Sequence, residues 1–252
     1  MRVPLPASFL DRPIAHRGYH DLAAGRRENS LSAFAAAVRA GYGIEMDLQL
    51  SADGVPMVFH DDTLDRLTDQ AGPVSARNAA DLQALRLAGT TDTIPTLAQV
   101  LALVAGRVPL LIEIKDQTLT LSPTDGRLET ATAAVLTGYD GPMALMSFNP
   151  SCIAHMAWAA PTLPRGLTTD QFDPADWAPV PPETCDRLRP IPDYDATGSS
   201  FLSHGASDLA SPRVAQLKAA GAAILCWTIR STQAEAAARK IAANITFEGY
   251  AA

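Results

Sequence analysis

Residues 96–115 read TLAQVLALVAGRVPLLIEIK, and this one segment contains the unit that recurs along the chain. Its first half has apolar residues at helical spacing, with Thr96 placed to cap a helix and Gly106 placed to end it. Its second half, Val108–Lys115, is an apolar run with little alternation, which is typical of a parallel strand buried on both faces. The segment therefore predicts a helix followed by a buried strand, as in α/β folds.

Similar apolar runs predict strands elsewhere in the chain. They are Pro13–Gly18, Gly43–Leu50, Pro56–His60, Pro142–Phe148, Arg165–Thr169, Ser200–His204, Ile224–Ile229 and Ile245–Phe247. Strands alternating with helical patterns over 252 residues predict a single (β/α)8 TIM barrel, residues 1–252, with a doubly wound open sheet as the alternative. No GxGxxG or P-loop sequence follows any strand, which disfavours the usual nucleotide-binding sheets.

Helix boundaries are also marked in the sequence. A helix carrying Leu31 and Phe34 on its apolar face begins at Asn29 or Ser30 and ends at Gly41. Two other helices are predicted to begin at Asn149-Pro150 and Ser211-Pro212, because proline is favoured at the first helical position. The last predicted helix covers residues 232 to 243.

The connection between the second and third predicted strands reads QLSADGV and has no helical pattern. Asp53-Gly54 is a turn signal, so a hairpin is the interpretation favoured locally. A bare crossover between parallel neighbours is the alternative, because seven extended residues reach roughly 23 Å. Residues 62–95, which lack a long element, are predicted to be a small insertion after the third strand. Residues 171–198 are predicted to be a surface excursion or a wall of the substrate site.

Composition narrows the class of protein. The chain has 20 Lys and Arg against 27 Asp and Glu, a net charge of −7, and 47% hydrophobic residues. That balance excludes a disordered chain and disfavours nucleic-acid binding, although a local pocket can still attract an anion. No signal peptide and no membrane span is evident, and Cys152, Cys185 and Cys226 are not at metal-ligand spacing. We therefore expect a cytoplasmic protein with reduced thiols; the sequence leaves its oligomeric state open.

Charged residues coincide with the ends of four predicted strands. Glu45 and Asp47 share one face of their strand, and Glu113 and Lys115 share one face of theirs. The first strand ends in His16-Arg17-Gly18 and the third in His60-Asp61. Taken singly, each could be a surface face, a structural ion pair or a capped strand end.

Taken together, these residues predict an active site at the carboxyl ends of barrel strands. Three carboxylates suit a hard divalent cation such as Mg²⁺ or Ca²⁺. Two histidines suit proton transfer near neutral pH, while arginine and lysine suit a phosphate anion. The chemistry predicted is therefore metal-assisted cleavage of a phosphoester.

At this point the sequence resembles the glycerophosphodiester phosphodiesterase family. The motifs that carry the resemblance are AHRG at residues 15–18, EN at 28–29, EMDLQLSADGVPMVFHDDTLDRLT at 45–68, LLIEIK at 110–115 and CWTI at 226–229. The resemblance implies a TIM barrel with a small insertion after the third strand. It also implies the bare crossover for the connection at residues 49–55.

The resemblance implies a role for each motif residue. His16 and His60 would be the catalytic acid/base pair, and Glu45, Asp47 and Glu113 would bind one divalent cation, Mg²⁺ or Ca²⁺. The substrate would be held by Arg17 and Lys115 at its phosphate and by Trp227 at its glycerol. Among the supporting residues, Glu28 would assist the site and Asn29 would cap the following helix.

The implied reaction is hydrolysis of a small-molecule glycerophosphodiester to glycerol 3-phosphate and an alcohol, through a cyclic phosphate. The family often ends in an ITD-type sequence, whereas this chain has Ile245-Thr246-Phe247-Glu248-Gly249-Tyr250, so its contacts at that edge are open. Two alternatives remain: a lysophospholipid-cleaving enzyme of the same fold, with Phe172 and Trp177 in an apolar rim, and a non-catalytic phosphate-binding barrel.

Overall fold

A computed structural model describes residues 2–252 of the chain. The strands are β1 Ile14–Ala15, β2 Gly43–Leu50, β3 Pro56–Val58, β4 Leu110–Ile114, β5 Met143–Ser147, β6 Arg165–Thr169, β7 Phe201–Gly205, β8 Ala223–Ile229 and β9 Asn244–Phe247. The α-helices are α1 Ser8–Asp11, α2 Leu31–Ala40, α3 Ala79–Ala84, α4 Leu97–Val104, α5 Arg127–Leu136, α6 Pro150–Ala159, α7 Pro182–Leu188, α8 Pro212–Ala219 and α9 Thr232–Ala238.

Eight of these strands close into a parallel barrel. Going round it, the order is β1, β2, β4, β5, β6, β7, β8 and β9, and β9 pairs with β1. Helices connect the successive strands on the outside, so the predicted TIM barrel is confirmed and the open-sheet alternative is wrong.

The strand β3 is not part of the parallel barrel. It pairs antiparallel with the end of β2, with Leu48 opposite Val58, so the chain turns back in a hairpin. The turn falls at Asp53-Gly54, where Gly54 has φ +83° and its N–H donates to the Ser51 carbonyl. The bare crossover implied by the family resemblance is therefore wrong, and the local turn signal is correct. A turn this short joins antiparallel strands without leaving the sheet edge.

The segment after β3 has a small core of its own. Met57, Phe59, Leu64, Leu82 and Ile94 are among the buried residues that pack together there. Residues 62–95 contain a single turn of 3₁₀ helix and the short helix α3. This packing holds the segment against the barrel, beside the carboxyl end of β2.

Two predicted caps are confirmed and one is corrected. Thr96 and Gln99 form a capping box at the start of α4, and the Asn149 side chain accepts from the Ser151 N–H at the start of α6. At α2 the cap is Ser30, whose side chain accepts from the Ala33 N–H. The expectation that Asn29 caps this helix is wrong, because its side chain points into the barrel instead. The final helix, predicted to residue 243, ends at Ala238.

The barrel strands alternate between an outer and an inner face. Outward side chains such as Ile44, Met46 and Ile112 pack against the helices in the main core. Inward side chains such as Leu111 and Met146 form a second cluster that includes Phe9 of α1. Phe9 closes the amino end of the barrel. It is held there by a hydrogen bond in which the Asn244 side chain, at the start of β9, donates to the Phe9 carbonyl. Charged side chains on the same inner face therefore gather at the carboxyl end.

Two further expectations concern the chain as a whole. Cys152, Cys185 and Cys226 are buried and free, as predicted. Within residues 2–252, no helix combines the length and apolar character that crossing a membrane requires.

Candidate active site

The turn after β1 presents His16 and Arg17 at the carboxyl end of the barrel. Arg17 and Gly18 have φ +54° and +81°, so the backbone reverses sharply there. A Cβ at Gly18 would lie 2.8 Å from the Phe34 ring, which leaves no room for a side chain. The turn directs the Arg17 backbone N–H to Glu45 Oε2 at 2.8 Å. Glycine is thus required here by both conformation and space.

Glu45, Asp47 and Glu113 converge as the sequence predicts. Glu45 and Asp47 share the inner face of β2, and Glu113 lies directly opposite Asp47 in the β2–β4 register. One carboxylate oxygen of each lies within 4.8 Å of the other two, and all three residues are buried. Three carboxylates this close repel one another unless positive charge compensates them.

Two basic side chains supply part of that compensation. Lys115 Nζ lies 2.9 Å from Glu113 Oε1 and 3.3 Å from Asp47 Oδ1. Burial alone would lower the pKa of Lys115, but the charges of Glu113 and Asp47 outweigh it and hold that pKa above its ordinary value. Arg17 Nε lies 3.6 Å from Asp47 Oδ2. Both bases predicted to hold phosphate therefore lie against the carboxylate cluster.

The charges in the cluster are unevenly compensated. Burial raises the pKa of Glu45 well above its ordinary value, and the neighbouring charges of Asp47 and Glu113 raise it further. Burial would also raise the pKa of Asp47, but Lys115, His60 and Arg17 together hold it far below its usual range. A further positive charge beside Glu45 would relieve this imbalance. The donor set is all oxygen, so these carboxylates fit a hard divalent cation.

Asn29 belongs to this cluster. Its side-chain amide nitrogen donates to Asp47 Oδ2 at 2.8 Å, and its oxygen accepts from the Asp47 N–H at 3.4 Å. The residue has φ +55°, a conformation that asparagine tolerates better than most residues. Asn29 therefore fixes the orientation of the Asp47 carboxylate.

Glu28 supports the site through two arginines. It accepts from Arg17 Nη1 at 2.7 Å, and Arg66 donates to both of its oxygens at 2.9 and 2.8 Å. Burial would raise the pKa of Glu28, but the hydrogen bonds from Arg66 and the charge of Arg17 lower it to about 2.

Arg66 connects the same network to the second histidine. Its Nε lies 2.7 Å from Asp61 Oδ2 and its Nη2 lies 2.8 Å from Asp61 Oδ1. Asp61 in turn lies 2.6 Å from His60 Nδ1. Burial would raise the pKa of Asp61, but the hydrogen bonds from His60 and Arg66 keep the group ionised. This pairing leaves His60 Nε2 as the nitrogen that can exchange a proton with a ligand.

His16 has its own carboxylate partner. Its Nδ1 lies 2.5 Å from Glu248 Oε2, and Glu248 Oε1 accepts from Arg230 Nε at 2.7 Å. The imidazole of His20 lies 3.6 Å from the same Glu248 oxygen. Burial lowers the pKa of His16, and the hydrogen bond to Glu248 opposes that shift. Each histidine is thus oriented by a carboxylate on its Nδ1 side.

The three carboxylates, the two bases beside them and both histidines surround one cavity. Its lining comprises His16, Arg17, Glu45, Asp47, His60, Glu113, Lys115, Met146, Phe148, Thr168, Ser203, Trp227 and Thr246. Trp227 is half-buried, and its indole N–H donates to the Ser203 carbonyl at 3.0 Å. Phe148 packs edge-on against Trp227, with ring centroids 5.4 Å apart. The structure therefore brings together every predicted ligand-binding and acid/base residue.

The sequence interpretation did not single out Glu248, Asp61 or Arg66. Glu248 follows β9 directly, so it stands at the carboxyl end of a barrel strand, where functional groups gather, and Asp61 directly follows the predicted acid/base residue His60. Position alone could have indicated them. Arg66 lies in the irregular segment after β3, where no spacing rule predicts which way a side chain points.

A sequence model of the glycerophosphoryl diester phosphodiesterase family matches residues 16–246. The chain belongs to this family. The match spans the first histidine and nearly reaches Glu248, so it covers the carboxylate cluster and both catalytic candidates. The family resemblance recognised from the motifs is therefore confirmed.

Individual family members align over parts of this chain. Glycerophosphodiester phosphodiesterase 1 of Bos taurus is 38% identical over 99 residues, which cover 35% of this chain and 29% of the bovine protein. The glycerophosphodiester phosphodiesterase of Caldanaerobacter subterraneus is 32% identical over 164 residues, covering 61% of this chain and 65% of that one. The alignment with the bovine protein thus spans less than a third of its length.

Solved structures of two other proteins match nearly the whole fold of this chain. A phosphodiesterase from Oleispira antarctica, determined with its product sn-glycerol-3-phosphate, has a TM-score of 0.76 at 25% identity, covering 96% of this chain and 94% of that one. A glycerophosphodiester phosphodiesterase from Agrobacterium tumefaciens has a TM-score of 0.70 at 22% identity, covering 94% and 95%. The second likeness bears on the fold alone.

Proposed function

We propose that this protein hydrolyses glycerophosphodiesters to glycerol 3-phosphate and an alcohol. The observation that carries the proposal is the convergence of three buried carboxylates with two carboxylate-oriented histidines around one cavity. Membership of the glycerophosphoryl diester phosphodiesterase family supports it. The reaction belongs to the class of phosphoester cleavage by acid/base catalysis.

The carboxylates of Glu45, Asp47 and Glu113 would hold one divalent cation, Mg²⁺ or Ca²⁺. A cation held there would supply Lewis acidity and positive charge to a bound phosphodiester. The charge imbalance at Glu45 supports this assignment, since the cluster has more carboxylate than basic charge beside it.

His16 and His60 would transfer the protons. We assign His16 as the base that takes the proton of the glycerol hydroxyl, and His60 as the acid that protonates the departing alkoxide. The hydroxyl oxygen attacks phosphorus, the bond to the alcohol breaks, and water then opens the resulting cyclic phosphate. Glu248 and Asp61 support these roles, because each occupies the Nδ1 side of its histidine and leaves Nε2 for the substrate.

Arg17 and Lys115 would hold the phosphate. Arg17 lines the cavity, and its Nε, 3.6 Å from Asp47 Oδ2, forms no hydrogen bond with any residue in the described part of the chain. A guanidinium N–H without a hydrogen-bond partner suits a phosphate oxygen, and Lys115 adds a positive charge beside Asp47 Oδ1 and Glu113 Oε1. Trp227 would pack against the glycerol carbons.

A coupled assay for glycerol 3-phosphate tests the proposal. Glycerophosphocholine should release glycerol 3-phosphate, a chelator should abolish the release, and added Mg²⁺ or Ca²⁺ should restore it. Bis-(p-nitrophenyl) phosphate should be a poor substrate because it lacks the adjacent hydroxyl. Full activity in chelator, or equal activity toward the aryl diester, contradicts this mechanism.

A second candidate function is cleavage of lysophospholipids by the same site. A cavity beside the catalytic one shares Glu113, Lys115 and Phe148 with it and is also lined by Leu119 and Trp177. Leu119 is 46% exposed, so this wall could accept part of an acyl chain. Phe172, expected at an apolar rim, is instead buried against Trp177. A lysophosphatidylcholine substrate assayed beside glycerophosphocholine decides between the two by their kcat/KM values.

A further inference from the structure

Three buried hydroxyl groups face the catalytic cavity and have no partner in the described protein. They belong to Thr168 of β6, Ser203 of β7 and Thr246 of β9, which are 2%, 0% and 1% exposed. Each lines the catalytic cavity, yet none of their oxygens forms a hydrogen bond with any residue between 2 and 252. A buried hydroxyl without a partner costs about 1–3 kcal/mol, so these oxygens are placed for a ligand in the cavity.

The hydroxyls occupy one side of the barrel and the charges occupy the other. Glu45, Asp47 and Glu113 come from β2 and β4, and His16 follows β1. Around the barrel, the hydroxyl-bearing strands β6, β7 and β9 flank β8, which carries Trp227. Thr168 and Ser203 are direct neighbours in the β6–β7 register. The neutral side thus combines hydroxyls with one aromatic ring.

This neutral side suits a polyol rather than an anion. Hydroxyls both donate and accept hydrogen bonds without charge, and an indole face packs on carbon. Trp227 is held over this surface because its N–H donates to the Ser203 carbonyl. A phosphate would be held by the charged side, which leaves the hydroxyl-bearing carbons of the ligand to the neutral one.

We propose that Thr168, Ser203 and Thr246 form a polyol subsite that recognises the terminal hydroxyl of the glycerol moiety. The inference rests on the proposed function, because it assigns that moiety to the same cavity. The hydroxyl next to the phosphate ester would lie on the charged side of the cavity, where His16 takes its proton, whereas the terminal hydroxyl bonds to the three side chains. The subsite therefore favours substrates with a glycerol moiety over analogues that lack its terminal hydroxyl.

The triple variant T168V/S203A/T246V tests the subsite against two substrates. One is glycerophosphocholine, and the other is its propane-1,2-diol analogue, which keeps the hydroxyl beside the phosphate ester but lacks the terminal one. We expect kcat/KM to fall about three- to tenfold or more for glycerophosphocholine, the range for one lost neutral hydrogen bond. For the diol analogue we expect little change. Equal loss on both substrates, or loss on neither, overturns the proposal.

Thr132→Val is the matched control. Thr132 is a buried threonine of α5 whose hydroxyl also forms no hydrogen bond among the described residues, but it does not line the cavity. The control should keep wild-type kcat/KM on both substrates. The triple variant should melt no lower than the wild type, since its three hydroxyls have no protein partner to lose. If the triple variant unfolds, its loss of activity says nothing about the subsite. The three single variants are then assayed on both substrates, and their kcat/KM values test the proposal.

Calorimetry separates this inference from the proposed function. Glycerol 3-phosphate should bind the wild type more tightly than propane-1,2-diol phosphate, and the triple variant should lose that preference. If the wild type shows the preference but hydrolyses neither diester, the proposed function fails and the subsite stands. If the wild type hydrolyses glycerophosphocholine but shows no preference between the two phosphates, the subsite is wrong and the function stands.

Discussion

His16 Nδ1 lies 2.5 Å from Glu248 Oε2, so residues that follow the first and last strands of the barrel together fix the orientation of one histidine of the cavity. The two residues are 232 positions apart in the sequence and meet because β9 pairs with β1. The segment at residues 245–250, which departs from the usual family ending, therefore supplies a partner for the first histidine. Glu248 is therefore a positioning residue, which orients the His16 imidazole.

Glu248→Gln should shift the pH dependence of hydrolysis. Because Glu248 raises the pKa of His16 against the effect of burial, its neutralisation lowers that pKa further. With His16 as the base, the acid limb of the kcat/KM profile should move to lower pH, and kcat should fall. Arg230→Gln is the control, since Arg230 contacts the other oxygen and leaves the bond to His16 in place. An unshifted acid limb would show that Glu248 does not act through His16.

Arg66→Gln should lower kcat by about 10–100-fold, the usual cost of losing a group that orients a catalytic residue. Arg66 holds Asp61, and Asp61 holds His60. Because both act through His60, the double variant R66Q/D61N should lose less than the product of the single losses. Arg77→Gln, in the same segment but bonded to Gln70, is the control. Independent, multiplicative losses would contradict the network.

His16→Ala and His60→Ala should each lower kcat by about 10²–10⁴, the range for a lost acid/base group. Circular dichroism should show that both variants remain folded. His155→Ala is the control, because His155 lies on α6 beside Thr130 and does not line the cavity. If either active-site variant keeps near wild-type kcat, that histidine is structural.

Glu45→Gln should raise the melting temperature of the protein in chelator and abolish the stabilisation given by a divalent cation. Burial and the charges of Asp47 and Glu113 make ionised Glu45 unfavourable without a cation. The glutamine can still accept from the Arg17 N–H through its amide oxygen. Thermal unfolding with chelator and with added Mg²⁺ or Ca²⁺ measures both effects. A cation that stabilises the variant as much as the wild type would show that it binds elsewhere.

Glu28→Gln should weaken the acid dependence of stability. The pKa of Glu28 is lowered from 4.5 to about 2 in the folded protein, so its contribution is present above pH 4.5 and is lost as the pH falls towards 2. The free energy of unfolding should therefore fall less steeply over that window in the variant. Glu183→Gln is the control, since Glu183 is exposed on α7 and has no ion pair in residues 2–252. Identical slopes for wild type and E28Q would contradict the assignment.

The sequence by itself determined the alternating strands and helices and the charged strand ends, whereas closure into a barrel rather than an open sheet was decided by the pairing of β9 with β1. Non-alternating apolar runs such as Leu110–Ile114 can be buried on both faces only in a layered α/β fold. The period of two in β2 and β4 already places Glu45 with Asp47 on one inner face. It was the Asp53-Gly54 turn signal, against the wider resemblance, that correctly indicated the hairpin to β3.

Only the tertiary structure decided which distant side chains meet. Barrel closure brings Glu248 to His16, and packing of the segment after β3 brings Arg66 to both Glu28 and Asp61. The role of Asn29 was likewise decided by its positive φ, which directs its side chain away from the start of α2 and towards Asp47. Local periodicity fixes the face of a strand, but contacts across strand registers and irregular loops depend on the free energy of the whole packed chain. The unpartnered hydroxyls of Thr168, Ser203 and Thr246 could be recognised only from the tertiary structure. Whether a buried hydroxyl has a hydrogen-bond partner depends on all the residues packed around it.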